Sequence, residues 1–166
     1  SLASELDKDL TAVGFMTGSL ADRIRAWETG KVVDPDQVPS VFAELMLEAR
    51  DRTDAMVVPT DGYMMELNPV HDTIYTARCN FSERKMDLNI GNSFTRTALK
   101  HLVSHECFPG HSTQNIYTLK SFKDGTSTAD VLLCSLNGIT GVIQEGIGDQ
   151  GMELIDWVED VNDQIQ

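Results

Sequence analysis

Pro109-Gly110 is the feature that most constrains this chain, because it interrupts the stretch "HLVSHECFPGHSTQ" (residues 101–114) between two histidines. Proline cannot donate a backbone hydrogen bond, and it pushes the residue before it, Phe108, out of helical angles. Gly110 opens backbone conformations closed to other residues. A helix running through His105 must therefore end or bulge by Phe108. On an unbroken helix His111, six residues after His105, would lie about 600° around and on the wrong face. With the break, the chain can swing His111 back toward His105.

The 166 residues suffice for one domain with a real core, and 41% hydrophobic with 23% charged is ordinary for a globular protein. Thirteen basic against twenty-six acidic residues give a net charge of −13. Such a balance argues against nucleic acid or an anionic membrane as partner, since both require a basic footprint. No apolar run approaches the roughly 18–20 residues of a membrane span. The opening "SLASELDKDL" carries neither a Met nor a signal-peptide pattern. We take the chain as a single domain, or the C-terminal piece of a longer protein, with the motifs in residues 70–155. Cys79, Cys107 and Cys134 are odd in number and widely spaced, which suits a reducing compartment; cytoplasmic localisation is the expectation.

Leu2, Leu6, Leu10, Val13, Leu20, Ile24 and Trp27 recur at helical spacing, interrupted by Gly14 and Gly18. After the break "GKVVDPDQVPS", a second helix is predicted past Pro39 through "SVFAELMLEARDRTDAMV", with Ser40 as its cap. "PTDGYMMELNP" is expected to be loop, with a turn at Asp61-Gly62. "HDTIYTARCNF" and "RKMDLNIGN" are predicted strands joined by a hairpin turn at "SER". Helix returns over residues 94–108, "KDGTSTAD" is loop, and the chain is predicted helical from Ala129 to its end with a kink at Asn137-Gly138. The fold class is mainly α with a small β hairpin or edge sheet (α+β).

His105-Glu106 is half of a metal-hydrolase arrangement, in which two histidines hold a metal and the adjacent glutamate takes a proton from water. The residues alone also fit a helix end bearing two ordinary histidines. Downstream, "NGITGVIQEGIGDQGMEL" carries Glu145 and Asp149 at i and i+4. That spacing suits a third metal ligand with, one turn on, an acceptor for a ligand histidine's ring N–H. A solvated carboxylate pair is the alternative. The apolar neighbourhood "LCSLNGITGVIQ" speaks against it, because carboxylates there need a partner.

"HECFPGHSTQ" followed by "IQEGIGDQGMELI" resembles a bacterial zincin-like metallopeptidase family of gluzincin type, with the pattern H-E-x-x-P-G-H-H and a later E-G-x-x-D/Y segment. The resemblance implies a zinc site made by His105, His111 and Glu145, with Glu106 as general base and Asp149 supporting a ligand histidine. It also implies a mainly helical catalytic domain within a larger protein, acting on a peptide or small amide. The family's second histidine after Pro-Gly is Ser112 here, which leaves open whether His111 is the ligand or metal binding has been lost. His101, four residues before His105, is the rival ligand. Cys107 is expected to be a buried, inert thiol. For oxyanion stabilisation Tyr117 is the first candidate, by proximity, ahead of Tyr75, Tyr63, His71 and Arg78. "MDLNIGN" is the candidate sheet edge for an extended peptide. The expected function is a zinc metallopeptidase. Its alternatives are a degenerate or structural metal-binding domain and an acidic interaction domain.

Overall fold

Gly14 and Gly18 both take positive φ, 96° and 104°, and split the N-terminal pattern into α1 (Leu2–Ala12) and α2 (Leu20–Lys31). Ser19 opens α2 with a reciprocal capping box to Asp22. The computed structural model describes residues 1–132 and 139–165, so Cys134 and the kink expected at Asn137-Gly138 lie outside the described residues. Next comes α3 (Val38–Met56), which begins earlier than expected because Pro39 is accommodated in its first turn. Ser40 is consequently inside the helix, its hydroxyl donating to Gln37 O rather than capping. Val38, Phe42, Leu45, Met46, Ala49 and Thr53 form its buried stripe.

Three strands follow: β1 (Glu66–Val70), β2 (Ala77–Asn80) and β3 (Lys85–Asn89), in spatial order β1-β3-β2. The predicted hairpin pairs β2 with β3 antiparallel, turning through Phe81–Glu83 and the left-handed Arg84 (φ 56°). Two expectations need correction. β1 begins inside "PTDGYMMELNP", expected to be loop, and pairs parallel with β3; its Pro69 is tolerated because β1 is an edge strand. β3, expected to be the sheet edge, is the central strand, and the free edge beside the motif helix is β2.

Met86 and Leu88 of β3 point into the core, while Asp87 faces the other side under Asn68, Tyr75 and Arg78. Burial alone would raise the Asp87 carboxyl, but hydrogen bonds from Asn68 (2.7 Å) and Arg78 (2.7 Å) outweigh it and hold it below the ordinary carboxylate value. A depressed folded pKa contributes stability above the unfolded value, near 3.9, and that contribution fades as pH falls through the folded value. Asp87→Asn should therefore lose about 1–2 kcal/mol at pH 7, the half-exposed Arg78 limiting the loss. Urea titrations should show the gap to wild type closing below pH 4.

Thr95 caps α4 (Arg96–Leu102) by accepting from Ala98 N at 3.0 Å. A π-helical turn, Val103–Cys107, continues it, and α5 (His111–Lys123) follows the Pro-Gly break. Then come a short 3₁₀ turn (Ala129–Leu132), α6 (Ile139–Asp149), α7 (Gly151–Leu154) and α8 (Val161–Gln164). The C-terminal part is thus less continuous than predicted. The chain leaves helix after Leu154 so that Ile155 and Trp157 can insert fully into the core, Trp157 donating to Glu48 Oε1 at 2.8 Å.

The core joins α3, β3 and the motif helix. Leu99, Val103 and Cys107 recur every four residues, and with Phe108 they are fully buried. Burying each large apolar side chain contributes about 1.5–3 kcal/mol. Anchoring this stripe leaves His101, His105 and Glu106 at the rim. A smaller cluster of Leu10, Trp27 and Ile165 ties α1 and α2 to the C-terminal end. Among the described residues no helix is long and apolar enough to cross a membrane.

Candidate metal centre

The Pro-Gly break acts through backbone hydrogen bonding. Phe108 N donates to Val103 O at 3.1 Å, five residues back, and Gly110 N donates to Ser104 O at 2.9 Å. Phe108 is extended (φ −130°, ψ 124°), as the residue before proline should be. The π turn widens the helix here, a rare distortion that concentrates at functional sites. His111 becomes the first residue of α5 and faces back, its ring centroid 4.9 Å from that of His105 at 85°.

Glu145 of α6 lies between the two rings. One carboxylate oxygen is 3.1 Å from His105 Nε2 and the other 3.4 Å from His111 Nε2. Ligands about 2.1 Å from a tetrahedral zinc are about 3.4 Å apart, so these separations match a coordination edge. His105, His111 and Glu145 can together hold a metal ion.

Both histidines are oriented from behind. Asp149 Oδ1 is 3.0 Å from His105 Nδ1, though off the line of a formed hydrogen bond. His111 Nδ1 is 3.2 Å from Gln114 Oε1. The amide of Gln114 is itself fixed, its Nε2 donating to Gln144 O at 2.9 Å, so its oxygen can only accept from His111 Nδ1–H. The Nε2 lone pair of His111 is thereby directed toward Glu145, while His105 Nε2 meets Glu145 Oε2 at 3.1 Å. Gln114 was missed in the sequence. Its spacing of three from His111, on one helix face, was the available signal.

Glu106 lines the same pocket of about 250 Å³, together with His105, His111, Glu145, Gln114 and the edge strand at Cys79. Its Oε2 accepts from Cys79 N at 2.9 Å. Ser112 is fully buried, donating to Glu106 O at 3.3 Å and lying 3.7 Å from Cys79 Sγ. Position 112 thus faces the core, and of positions 111 and 112 only His111 faces His105 and Glu145. Burial pushes the Cys79 thiol up to about 11 and the Cys107 thiol well above its ordinary value. Both stay protonated at neutral pH in the absence of a metal, which disfavours a thiolate nucleophile.

His101 forms a second group with His105 and Asp149, its ring centroid 6.0 Å from that of His105. Tyr117 is not brought to the pocket: its hydroxyl donates to Pro59 O at 3.3 Å. The Tyr63 hydroxyl donates to Phe81 O and that of Tyr75 to Asp87, and His71 is exposed; Arg78 alone of these candidates lines the pocket, its guanidinium bound to Asp87.

Gly148 provides a direct test of this geometry. A Cβ there would meet the His105 ring at 2.9–3.1 Å, whereas one at Gly146 would meet nothing. Gly146→Ala should stabilise α6 by about 0.5–1 kcal/mol and leave metal binding unchanged. Gly148→Ala should gain similarly in helix propensity yet displace His105, weakening metal affinity about 10–100-fold by calorimetric titration. Comparison of the chain with protein-family models, with curated proteins and with solved structures finds no match.

Proposed function

We propose that this chain is the catalytic part of a zinc-dependent hydrolase that cleaves peptide bonds. The observation that carries the reading is the convergence of His105 Nε2, His111 Nε2 and both Glu145 oxygens across the Pro-Gly break. Two imidazoles and one carboxylate suit zinc, and three protein ligands leave a position open to water and substrate. A zinc ion held there would supply Lewis acidity, making water acidic and a carbonyl electrophilic. The resemblance of the two motifs to a zincin-like peptidase family points the same way.

Within this reading Glu106 is the general base, taking a proton from the attacking water and returning it to the leaving amine. The Cys79 N–H holds its carboxylate at the pocket wall. Gln114 holds the ring orientation of His111, and Asp149 stands 3.0 Å from His105 Nδ1. Among the described residues β2 is the edge strand beside the pocket, and with its Cys79 N–H taken by Glu106 it is the candidate to pair with an extended substrate backbone. A degenerate site, suggested by Ser112, draws no support from a side chain that faces the core.

Elemental analysis of unchelated protein tests the proposal. About one zinc per chain is expected, lost in His111→Ala without loss of helical circular dichroism. Wild-type protein that takes up no zinc, even when zinc is added, would sink the reading.

A further inference from the structure

We propose that a second, larger cavity is the subsite for an apolar substrate side chain within about three residues of the scissile bond. The cavity measures about 750 Å³ and is walled by Leu6, Ile24, Trp27, Phe94, Leu102 and Ile165. That volume lies within the range of cavities that enclose small organic ligands. Glu28 is the one acidic or basic residue in its lining, His101 apart; it repels an acidic substrate group, and the apolar walls favour an apolar one.

Two shared features tie the cavity to the metal centre. His101 lines the cavity and also stands in the group with His105 and Asp149. Thr76 lines the cavity too, while the next three residues, Ala77 to Cys79, line the pocket of Glu106 and the two histidines. A strand advances about 3.3 Å per residue, so Thr76 and Cys79 are roughly 10 Å apart. Cys79 N–H turns away from β3 toward Glu106, so this edge of β2 faces the site. An extended peptide lying along it runs from Glu106 to the mouth of the cavity in about three residues. The side chain it delivers there meets Trp27, Phe94 and Leu102.

The inference rests on the hydrolase reading for its catalytic part, and the test separates the two. N-acetyl-phenylalanine amide and N-acetyl-glycine amide are titrated into chelator-treated protein while the indole N–H signal of Trp27 is followed by NMR. The signal is assigned with Trp27→Phe. Ala98 of α4 also lines the cavity, three residues before His101, and Ala98→Phe places a large ring in it while leaving His105, His111, Glu145 and Glu106 unchanged in sequence. A saturable shift with the phenylalanine amide alone, absent in Ala98→Phe, is expected. Zinc-loaded protein should then prefer peptides with a large apolar residue over glycine at one position by roughly 10- to 100-fold, a preference lost in Ala98→Phe. No shift up to tens of millimolar overturns the proposal, as does a preference that survives in Ala98→Phe. A shift in protein that binds zinc yet cleaves no peptide rejects the hydrolase reading and upholds the cavity as an apolar ligand site.

Discussion

Glu106→Gln is expected to lower turnover by roughly two to four orders of magnitude while zinc content stays at the wild-type level. Glutamine has the same shape as glutamate and can still accept the hydrogen bond from Cys79 N, so the side chain should keep its place at the pocket wall. It cannot take a proton near neutral pH, and the proton-transfer role is what the substitution removes. His105, Glu145 and His111 do not depend on Glu106 for orientation, since Asp149 and Gln114 stand behind the two rings. Metal content and catalysis should therefore separate cleanly in this variant. Peptide hydrolysis is measured against His111→Ala, in which both should fall together. Full activity in Glu106→Gln would remove the general-base role; loss of zinc would recast Glu106 as a support for the metal.

The return of His111 toward His105 was legible in the sequence because it has a local cause, whereas the arrival of Glu145, 40 residues from His105, was expected only from the resemblance of the two motifs to a known family. Pro109 and Gly110 announce a break, and the alternation of buried Leu99, Val103 and Cys107 with rim residues follows from helical spacing. The β2–β3 hairpin was legible for the same reason, its strands being adjacent in the chain. What escaped depends on contacts distant in sequence. β1 has the unpromising composition "ELNPV" and becomes a strand only because β3, fifteen residues later at Lys85, offers it an edge. The π turn has no residue signature of its own; it is the way the helix accommodates Pro109 while keeping Leu99, Val103 and Cys107 in the core. The break after Leu154 was hidden because Ile155, Trp157 and Val158 continue an apolar pattern. Only the partner, Glu48 on α3, reveals why Trp157 leaves the helix.

The two residues after Gly110 illustrate the same limit. In the sequence, Ser112 stands where the resembled pattern has a second histidine, which puts the metal site in doubt. In three dimensions α5 starts at His111, so adjacent side chains diverge by about 100°. One enters the site and the next packs under Cys79 and Glu106. Ser112 therefore occupies a fully buried position, and its hydroxyl donates to the backbone carbonyl of Glu106.

Gly110→Ala should be the most destabilising single-methyl change in the motif. A Cβ at this position would lie 1.7 Å from His105 O and 2.6 Å from Ser104 O, distances no rotamer can relieve because the opposing atoms are backbone. The φ of Gly110 is −70°, so the demand is for space rather than for left-handed backbone. Relief requires the π turn and the start of α5 to move apart, which breaks the 2.9 Å bond from Gly110 N to Ser104 O and withdraws His111 from His105. Overpacking of this kind costs roughly 1–3 kcal/mol where side chains can yield, and more where backbone must move. At 2–4 °C per kcal/mol for a chain of this size, Tm should fall by about 10 °C or the variant should fail to fold. Gly30→Ala is the control: a Cβ there meets nothing, and the change should be neutral or slightly stabilising. If Gly110→Ala instead unfolds at the wild-type temperature and binds zinc equally well, the close approach of Gly110 to His105 is not what aims His111 at the metal.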